Sequence, residues 1–202
     1  MLDRALLALI RQPVDSLARS LVRLGARADH ITLLGFALGM LAAMAIALGW
    51  PLWGLLGVLL SRLMDGLDGA VARLTATTDR GAFLDITLDF LFYASIPLAF
   101  AVANPAAHAL PAAVLLAAFM GTASSFLAFA VLAERRGLKS TAYPRKGLFY
   151  LGGLTEASET LVCFALMCVW PAQFAWWAYG FAALCALTIV GRLWAGWQAF
   201  RV

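Results

Sequence analysis

The sequence predicts an all-α fold: a single membrane domain over residues 1–202, in which an amphipathic N-terminal helix precedes a bundle of six transmembrane helices. Three observations lead to this prediction. Hydrophobic residues make up 63% of the chain and charged residues only 13%, whereas about a quarter of a soluble domain is charged. Six apolar segments follow one another along the chain, and each approaches the roughly 20 residues that a membrane span requires. The connecting segments alternate between basic and uncharged.

Residues 1–27 have the pattern of an amphipathic juxtamembrane helix. Arginines such as Arg11, Arg19 and Arg23 alternate with apolar residues at roughly helical spacing. The segment lacks the unbroken apolar core and the cleavage site of a signal peptide, so we expect it to be retained. A helix of this kind lies in the interface of an anionic lipid bilayer. A solvated leader is the alternative interpretation.

The distribution of charge predicts how the six-helix bundle of residues 28–202 is oriented. Three of its connections contain no charged residue, whereas every basic residue except Arg62 lies in the N-terminal segment, the remaining loops or the tail. Cytoplasmic loops are enriched in Lys and Arg. Both termini are therefore predicted to be cytoplasmic, in the inner (cytoplasmic) membrane, and the net charge of +4 needs no nucleic acid to explain it. The predicted spans cover residues 31–49, 51–72, 81–102, 108–133, 154–169 and 174–190.

Four aspartates lie within two consecutive predicted spans, Asp65 and Asp68 in one and Asp85 and Asp89 in the next. At about 3.6 residues per turn, spacings of three and four place each pair on one helix face. The short connection at residues 74–80 makes the two spans antiparallel neighbours, so the pairs are expected to meet at similar depth. Carboxylates in a low dielectric are costly unless they are paired or bind metal. Hard oxygen ligands suit magnesium, manganese or calcium rather than zinc.

Small residues surround the first aspartate pair and leave the helix surface bare. Glycine inside a helix costs about 1 kcal/mol relative to alanine, so the pattern indicates that a ligand approaches the backbone here. Close packing of membrane helices is the alternative. Arg73 is suited to bind a phosphate oxygen, although pairing with an aspartate or anchoring in the interface would also explain it. The small residues are Gly66, Gly69, Ala70 and Ala72.

The aspartates belong to a longer sequence pattern. Residues 65–73 read DGLDGAVAR and residues 81–89 read GAFLDITLD. This pattern resembles the signature of the CDP-alcohol phosphotransferases, DxxDGxxAR followed by GxxxDxxxD. The connection at residues 74–80 is one residue shorter than the family spacing, which predicts a tighter turn and some displacement of Gly81 and Asp85. The segment Asp29-His-Ile-Thr32 stands where relatives often carry Pro-Asn-x-x-Thr.

The resemblance implies transfer of a substituted phosphate from a CDP-linked lipid, such as CDP-diacylglycerol, to a small alcohol in phospholipid biosynthesis, with release of CMP. It implies a homodimer and a cytoplasmic active site with two divalent ions, magnesium or manganese, on the diphosphate. Asp89 would be the base that takes the proton from the acceptor hydroxyl. The implied metal ligands are Asp65, Asp68, Asp85 and Asp89, and the implied nucleotide and diphosphate pocket is lined by Gly69, Ala72, Arg73 and Gly81.

Two features bear on the acceptor alcohol and point in opposite directions. A basic loop, with Arg135, Arg136, Lys139 and Lys146, is suited to a phosphorylated acceptor, or it is ordinary cytoplasmic charge. The carboxylates of Glu156 and Glu159 are expected to share a face of the fifth span and to point into one cavity. They would favour serine or an amino alcohol, or they pair with Arg62 or Lys146. A phosphatidylglycerophosphate-type product is slightly favoured, and an inositol phosphate acceptor stays open.

Two other classes of membrane protein place carboxylates within their spans. An intramembrane prenyltransferase also binds a diphosphate through magnesium, but it typically has more spans and two separated aspartate-rich motifs. An ion-coupled transporter has carboxylates near mid-membrane and broken helices, whereas the acidic residues here are predicted to cluster at one side. The three cysteines lie in apolar runs without metal-binding spacing, so we expect them to be packing residues.

Overall fold

The structure, a computed structural model, describes residues 2–137 and 153–201, with side chains from residue 12 onward in these ranges. Within them the chain is all-helical, as predicted. Helices α4 and α5 begin at side-chain caps, because Thr78 accepts a hydrogen bond from the Gly81 amide and Asn104 accepts one from the Ala107 amide. The helices are α1 (Leu2–Arg23), α2 (Ala28–Ala47), α3 (Pro51–Leu74), α4 (Asp79–Ala103), α5 (Pro105–Arg135), α6 (Ala157–Val169) and α7 (Phe174–Ala199).

Four of the helical segments are long and apolar enough to cross a membrane: α2, α4, α5, and α7 with the short helical turn before it. The predicted polytopic membrane protein is confirmed to this extent. Helix α3 carries Arg62, Asp65 and Asp68 within its length. Helix α6 has 13 residues and spans about 20 Å, against the roughly 30 Å of a bilayer core. The number of six spans therefore stays a prediction.

The start of α6 differs from the sequence-based prediction. The fifth span was expected from residue 154, whereas α6 begins at Ala157. The preceding residues bind α7 instead, because the Leu154 amide and the Thr155 hydroxyl both donate hydrogen bonds to Thr188 Oγ1, at 3.2 and 3.0 Å. These contacts hold the chain away from helical geometry until Glu156 caps the helix.

The main core is formed by residues of α2 to α7, and it is rich in aromatic side chains where α4, α6 and α7 meet. Phe100 of α4 stacks on Phe174 of α7 at 4.7 Å, and Phe92 meets the edge of Phe164 of α6 at 6.3 Å. All three cysteines are buried and unbonded to one another in or beside this core. Their predicted role in apolar packing is confirmed.

Helix α1 packs its apolar face against the protein. Ala18 is fully buried, and it belongs to a cluster with Leu67 and Val71 of α3 and Ile31 of α2. Part of the apolar face that was predicted to contact lipid is therefore used to hold α1 against the end of α3.

Helix α2 packs closely against both α3 and α4, and glycines make this possible. The Ser61 hydroxyl of α3 donates a hydrogen bond to the Gly35 carbonyl at 2.7 Å. A Cβ at Gly39 would lie 3.1 Å from Ser61 Oγ and would collide with the ring of Phe92. The sequence predicted α3 and α4 as adjacent helices. Both pack against α2, α4 packs against α5 as well, and α3 and α4 make little direct contact with one another. A cleft consequently remains between their facing sides.

Replacement of Gly39 by valine should destabilise the bundle, because the new side chain must push α2 away from Phe92 and Ser61. Overpacking of this kind costs about 1–3 kcal/mol. The measurement is the midpoint of heat-induced aggregation of the detergent-solubilised protein. Gly180→Val is the matched control, since nothing lies within 4 Å of a Cβ at that position of α7. Equal losses in the two variants would contradict the proposed packing.

Candidate active site

Three of the four predicted aspartates converge at the cleft between α3 and α4. Asp65, Asp68 and Asp85 offer carboxylate oxygens that all lie within 4.8 Å of one another. Asp68 is only 6% exposed, and its Oδ2 is buried without a hydrogen-bond partner among the described residues. A buried carboxylate oxygen without a partner is costly. The arrangement fits a cation that completes the coordination of this oxygen.

The short connection between α3 and α4 does not prevent this convergence. Arg80 forms an ion pair with Asp29 at the start of α2, which fixes the start of α4 against α2. A Cβ at Gly81 would lie 3.1 Å from Thr78 Oγ1 and 3.3 Å from Asp29 Oδ1, so a residue without a side chain suits this turn. Gly81 thus serves the turn, and Asp85, one helical turn further on, still joins the other two carboxylates.

Helix α2 supplies the remaining wall of the cleft. Thr32, Gly35 and Phe36 have the spacing of one helix face, and they lie opposite the acidic faces of α3 and α4. Thr32 ends the segment Asp29-His-Ile-Thr32 that stands where relatives often carry Pro-Asn-x-x-Thr, whereas the sequence had indicated no role for Gly35 or Phe36 beyond the span itself. The complete lining comprises Thr32, Gly35, Phe36, Ser61, Arg62, Asp65, Asp68, Asp85, Leu88 and Asp89.

Asp89, the fourth aspartate, is held by an arginine that the sequence analysis did not assign to the site. Arg62 Nη1 lies 2.6 Å from Asp89 Oδ1 and 3.6 Å from Asp65 Oδ1. The alternative that Glu156 or Glu159 pairs with Arg62 is therefore wrong, because Arg62 pairs with the aspartates. One signal in the sequence could have revealed this role, because Arg62 is the only basic residue within a predicted span and precedes Asp65 by three positions.

The small residues around the first aspartate pair, some of which were predicted to line the nucleotide and diphosphate pocket, have different surroundings. Nothing lies within 4 Å of a Cβ at Gly66, and only Arg73 Nη1 lies near one at Gly69, at 3.3 Å. The surface beside the aspartates is thus bare, as expected, and Arg73 is exposed next to it. Ala70 differs, because it is buried in the cluster with α1 and serves packing rather than access. Ala72 is partly exposed.

Of the basic residues predicted to bind the acceptor, two can be placed. Arg135 ends α5 and is exposed, and Arg136 follows it and donates a hydrogen bond to the Phe200 carbonyl at 3.2 Å. Lys139 and Lys146 lie outside the described residues. A further arginine, Arg192 of α7, reaches across to α5 and donates to the Thr122 carbonyl at 2.8 Å.

The two glutamates have a local structural role that the sequence analysis missed. Glu156 is the N-cap of α6, and its side chain accepts a hydrogen bond from the backbone three residues on, while Glu159 accepts one from the Glu156 amide. This is a capping box, which satisfies amides at a helix start. The expectation that both carboxylates point into a common cavity is corrected, since each is directed to the helix terminus.

The fold and the site together define a class of protein. It is a polytopic helical membrane protein with clustered carboxylates for a hard divalent cation, a bare helix surface and a nearby arginine suited to phosphate. Residues 26–191 match the sequence profile of the CDP-alcohol phosphatidyltransferases. The chain belongs to the CDP-alcohol phosphatidyltransferase family, and the resemblance read from its motif is confirmed.

Two similar proteins align with this chain over nearly its whole length. Inner membrane protein YnjF of Escherichia coli (strain K12) is 50% identical over 201 residues, which are 100% of this chain and 98% of that protein. A phosphatidylinositol phosphate synthase of Mycobacteroides abscessus is 31% identical over 208 residues, covering 96% of this chain and 86% of that protein.

Solved structures share the fold. The phosphatidylinositol phosphate synthase of Mycobacterium tuberculosis with CDP-DAG bound gives a TM-score of 0.74 at 24% identity, covering 91% of this chain and 93% of that one. The same enzyme in complex with manganese and citrate gives a TM-score of 0.73 at 24% identity, covering 91% of this chain and 88% of that one.

Replacement of Asp68 by asparagine should weaken the binding of Mn²⁺ to the purified protein by more than about tenfold, since even indirect changes around a metal ligand cost 10–100-fold. Isothermal titration calorimetry would measure the affinity. Asp79→Asn is the matched control, because it removes the same charge from an exposed position in the first turn of α4. Unchanged affinity in Asp68→Asn, or an equal loss in the control, would contradict the assignment.

Proposed function

We propose that this protein transfers the phosphatidyl group of CDP-diacylglycerol to a hydroxyl of a phosphorylated polyol, with release of CMP. The observation that carries the proposal is the convergence of Asp65, Asp68 and Asp85 within the family pattern of α3 and α4. The family establishes the type of reaction. The solved relative with CDP-DAG bound supports the lipid donor. Family membership also favours this class over a transporter or a prenyltransferase.

The three converging carboxylates would hold a divalent cation, magnesium or manganese, against the diphosphate. Oxygen ligands of this type suit both ions, and the manganese complex of the M. tuberculosis enzyme supports the choice. When bound, the cation supplies positive charge that stabilises the negative charge on the reacting phosphate group and on the leaving CMP. The family resemblance implies two ions. Among the described residues, the carboxylates whose oxygens lie within 4.8 Å of one another are those of Asp65, Asp68 and Asp85, and Asp89 is outside this group.

The other residues of the site would orient the substrates. Arg73 is exposed beside Gly69, where its guanidinium can bind a phosphate oxygen of the nucleotide. The bare surface at Gly66 and Gly69 allows the diphosphate to approach the helix. Asp89 would accept the proton of the acceptor hydroxyl, and Arg62, which donates a hydrogen bond to its Oδ1, would orient the carboxylate. Positioning and charge neutralisation are the main requirements of phosphoryl transfer.

The surroundings of the basic residues and of the two glutamates favour a phosphorylated acceptor. Glu156 and Glu159 cap α6, so the carboxylate pair that pointed to an amino alcohol is committed to a helix terminus. The arginines at the end of α5, Arg135 and Arg136, supply cations. The relatives named as phosphatidylinositol phosphate synthases support inositol phosphate over the glycerol phosphate that the sequence analysis slightly preferred.

We further propose six spans in the inner membrane, with α3 and α6 crossing alongside the four long apolar helices and with termini and active site on the cytoplasmic side. The charge distribution among the loops supports this orientation, and a relative named as an inner membrane protein supports the location. Helix α1 would lie along the interface, where its exposed arginines contact anionic lipid. A homodimer is implied by the family resemblance.

Purified protein incubated with CDP-diacylglycerol and Mn²⁺ should release CMP when inositol phosphate is added, and more slowly with glycerol 3-phosphate, serine or ethanolamine. Asp85→Asn should lower the rate by about a hundredfold or more, since loss of one electrostatic stabiliser costs 10²–10³. Asp79→Asn should retain the wild-type rate. Absence of CMP with every acceptor, in protein that still binds Mn²⁺, would contradict the function. Fastest release with another acceptor would contradict the proposed alcohol alone.

A further inference from the structure

We propose that the protein binds one anionic diacyl phospholipid of the cytoplasmic leaflet in a groove between the ends of α5 and α7. This groove is separate from the aspartate cleft, because none of the described residues that line it also lines the cleft. The proposal does not depend on the proposed reaction. It rests on the proposed orientation of the bundle, which places the ends of these two helices on the cytoplasmic side.

The groove has the size and surface of a site for a lipid chain. Its volume is about 470 Å³, within the range of about 300–1,000 Å³ that is typical of ligand sites. Its walls are mainly apolar and include the side chains of Phe129 on α5 and of Trp197 and Phe200 near the end of the chain. Leu193 and Trp197 are 63% and 70% exposed, so the groove is open toward the outside of the bundle, where lipid chains lie in a membrane.

A glycine of α7 leaves the space that forms the groove. A Cβ at Gly196 would lie 3.6 Å from the ring of Phe129 and 3.8 Å from that of Phe200, which are ordinary contact distances. Further from the helix ends the two helices are in close contact, since a Cβ at Gly121 of α5 would collide with Ile189 of α7. The seam between α5 and α7 is thus closed at Gly121 and open at Gly196.

Arginines supply the positive charge of the groove. Arg192 and Arg201 both line it, and no acidic residue is among its described lining residues. Arg192 donates a hydrogen bond to the Thr122 carbonyl at 2.8 Å, which fixes it between the two helices. Arg136 at the end of α5 holds the aromatic wall in place, because it donates a hydrogen bond to the Phe200 carbonyl and its guanidinium carbon lies 5.4 Å from the centre of that ring.

An apolar groove with two cations matches an anionic phospholipid in both of its parts. Basic pockets between transmembrane helices on the cytoplasmic side bind anionic lipid head groups. One acyl chain would lie along Leu193 and Trp197, and the phosphate would meet Arg201. A zwitterionic lipid would bring a cation of its own to the arginines, whereas a soluble phosphate would leave the apolar walls uncovered.

The test is native mass spectrometry of the full-length protein, released from detergent after titration with dioleoylphosphatidylglycerol or with dioleoylphosphatidylcholine. We expect the wild type to retain one phosphatidylglycerol per chain at least about tenfold more tightly than phosphatidylcholine, since each basic residue near an anionic lipid contributes about fivefold. Gly196→Leu fills the groove and should abolish this preference. Arg201→Gln should weaken the retention of phosphatidylglycerol about fivefold.

Two matched variants control for general effects of these substitutions. Gly191→Leu makes the same change on α7 at a position where nothing lies within 4 Å of a Cβ. Arg23→Gln removes an exposed arginine from the end of α1. Both should keep the preference of the wild type.

Three results would overturn the proposal. The first is equal retention of the two lipids by the wild type, and the second is an equal loss in the matched controls. The third is an unchanged preference in folded Gly196→Leu, whether or not that variant alters the proportion of dimer, because the groove would then be filled by protein. Arg201 is exposed, so Arg201→Gln provides the test if Gly196→Leu does not fold, and unchanged retention in that variant would then overturn the proposal.

The outcome is separable from that of the proposed function. CMP release by a wild type that retains both lipids equally would refute the lipid site and leave the transferase intact. Selective retention of phosphatidylglycerol that is lost in Gly196→Leu, without CMP release from any acceptor, would uphold the lipid site and refute the transferase.

Discussion

The structure depends on the neutralisation of four carboxylates that line one cleft of an apolar helix bundle. Asp68 is buried, Asp65 and Asp89 are partly buried, and Asp85 is exposed, and a buried charge costs several kcal/mol unless it is paired. Arg62 pairs with Asp89 across the cleft, and Asp65, Asp68 and Asp85 remain as a group that suits a divalent cation. The tight packing of α2 against α3 and α4 keeps these groups at fixed distances, because glycines on α2 allow the helices to approach.

The sequence was sufficient for features that local spacing determines. The apolar segments predicted the helices, and intervals of three and four residues placed each aspartate pair on one face. Arg62 was not assigned, because its bond to Asp89 links residues 27 positions apart and depends on how α3 and α4 lie on α2. Glu156 and Glu159 were misinterpreted for another reason: the spacing that puts two carboxylates on one helix face is also the spacing of a capping box when the first is the N-cap.

The site separates what the family shares from what is particular to this chain. Under the proposed function, the carboxylates and the bare surface at Gly66 and Gly69 serve the CDP-linked half of the reaction, which the family shares. Recognition of the alcohol would depend on other residues, and Arg135 and Arg136 at the end of α5 are the described residues that would favour a phosphorylated acceptor. Arg62, which holds Asp89, belongs to neither group and would orient the proposed base.

The central proposal is that Asp65, Asp68 and Asp85 bind a divalent metal ion in the cleft between α3 and α4. The most direct measurement is the anomalous scattering of manganese in crystals of the protein grown with Mn²⁺. The account predicts an anomalous peak among the carboxylates of Asp65, Asp68 and Asp85. The absence of a peak among these three carboxylates would contradict it.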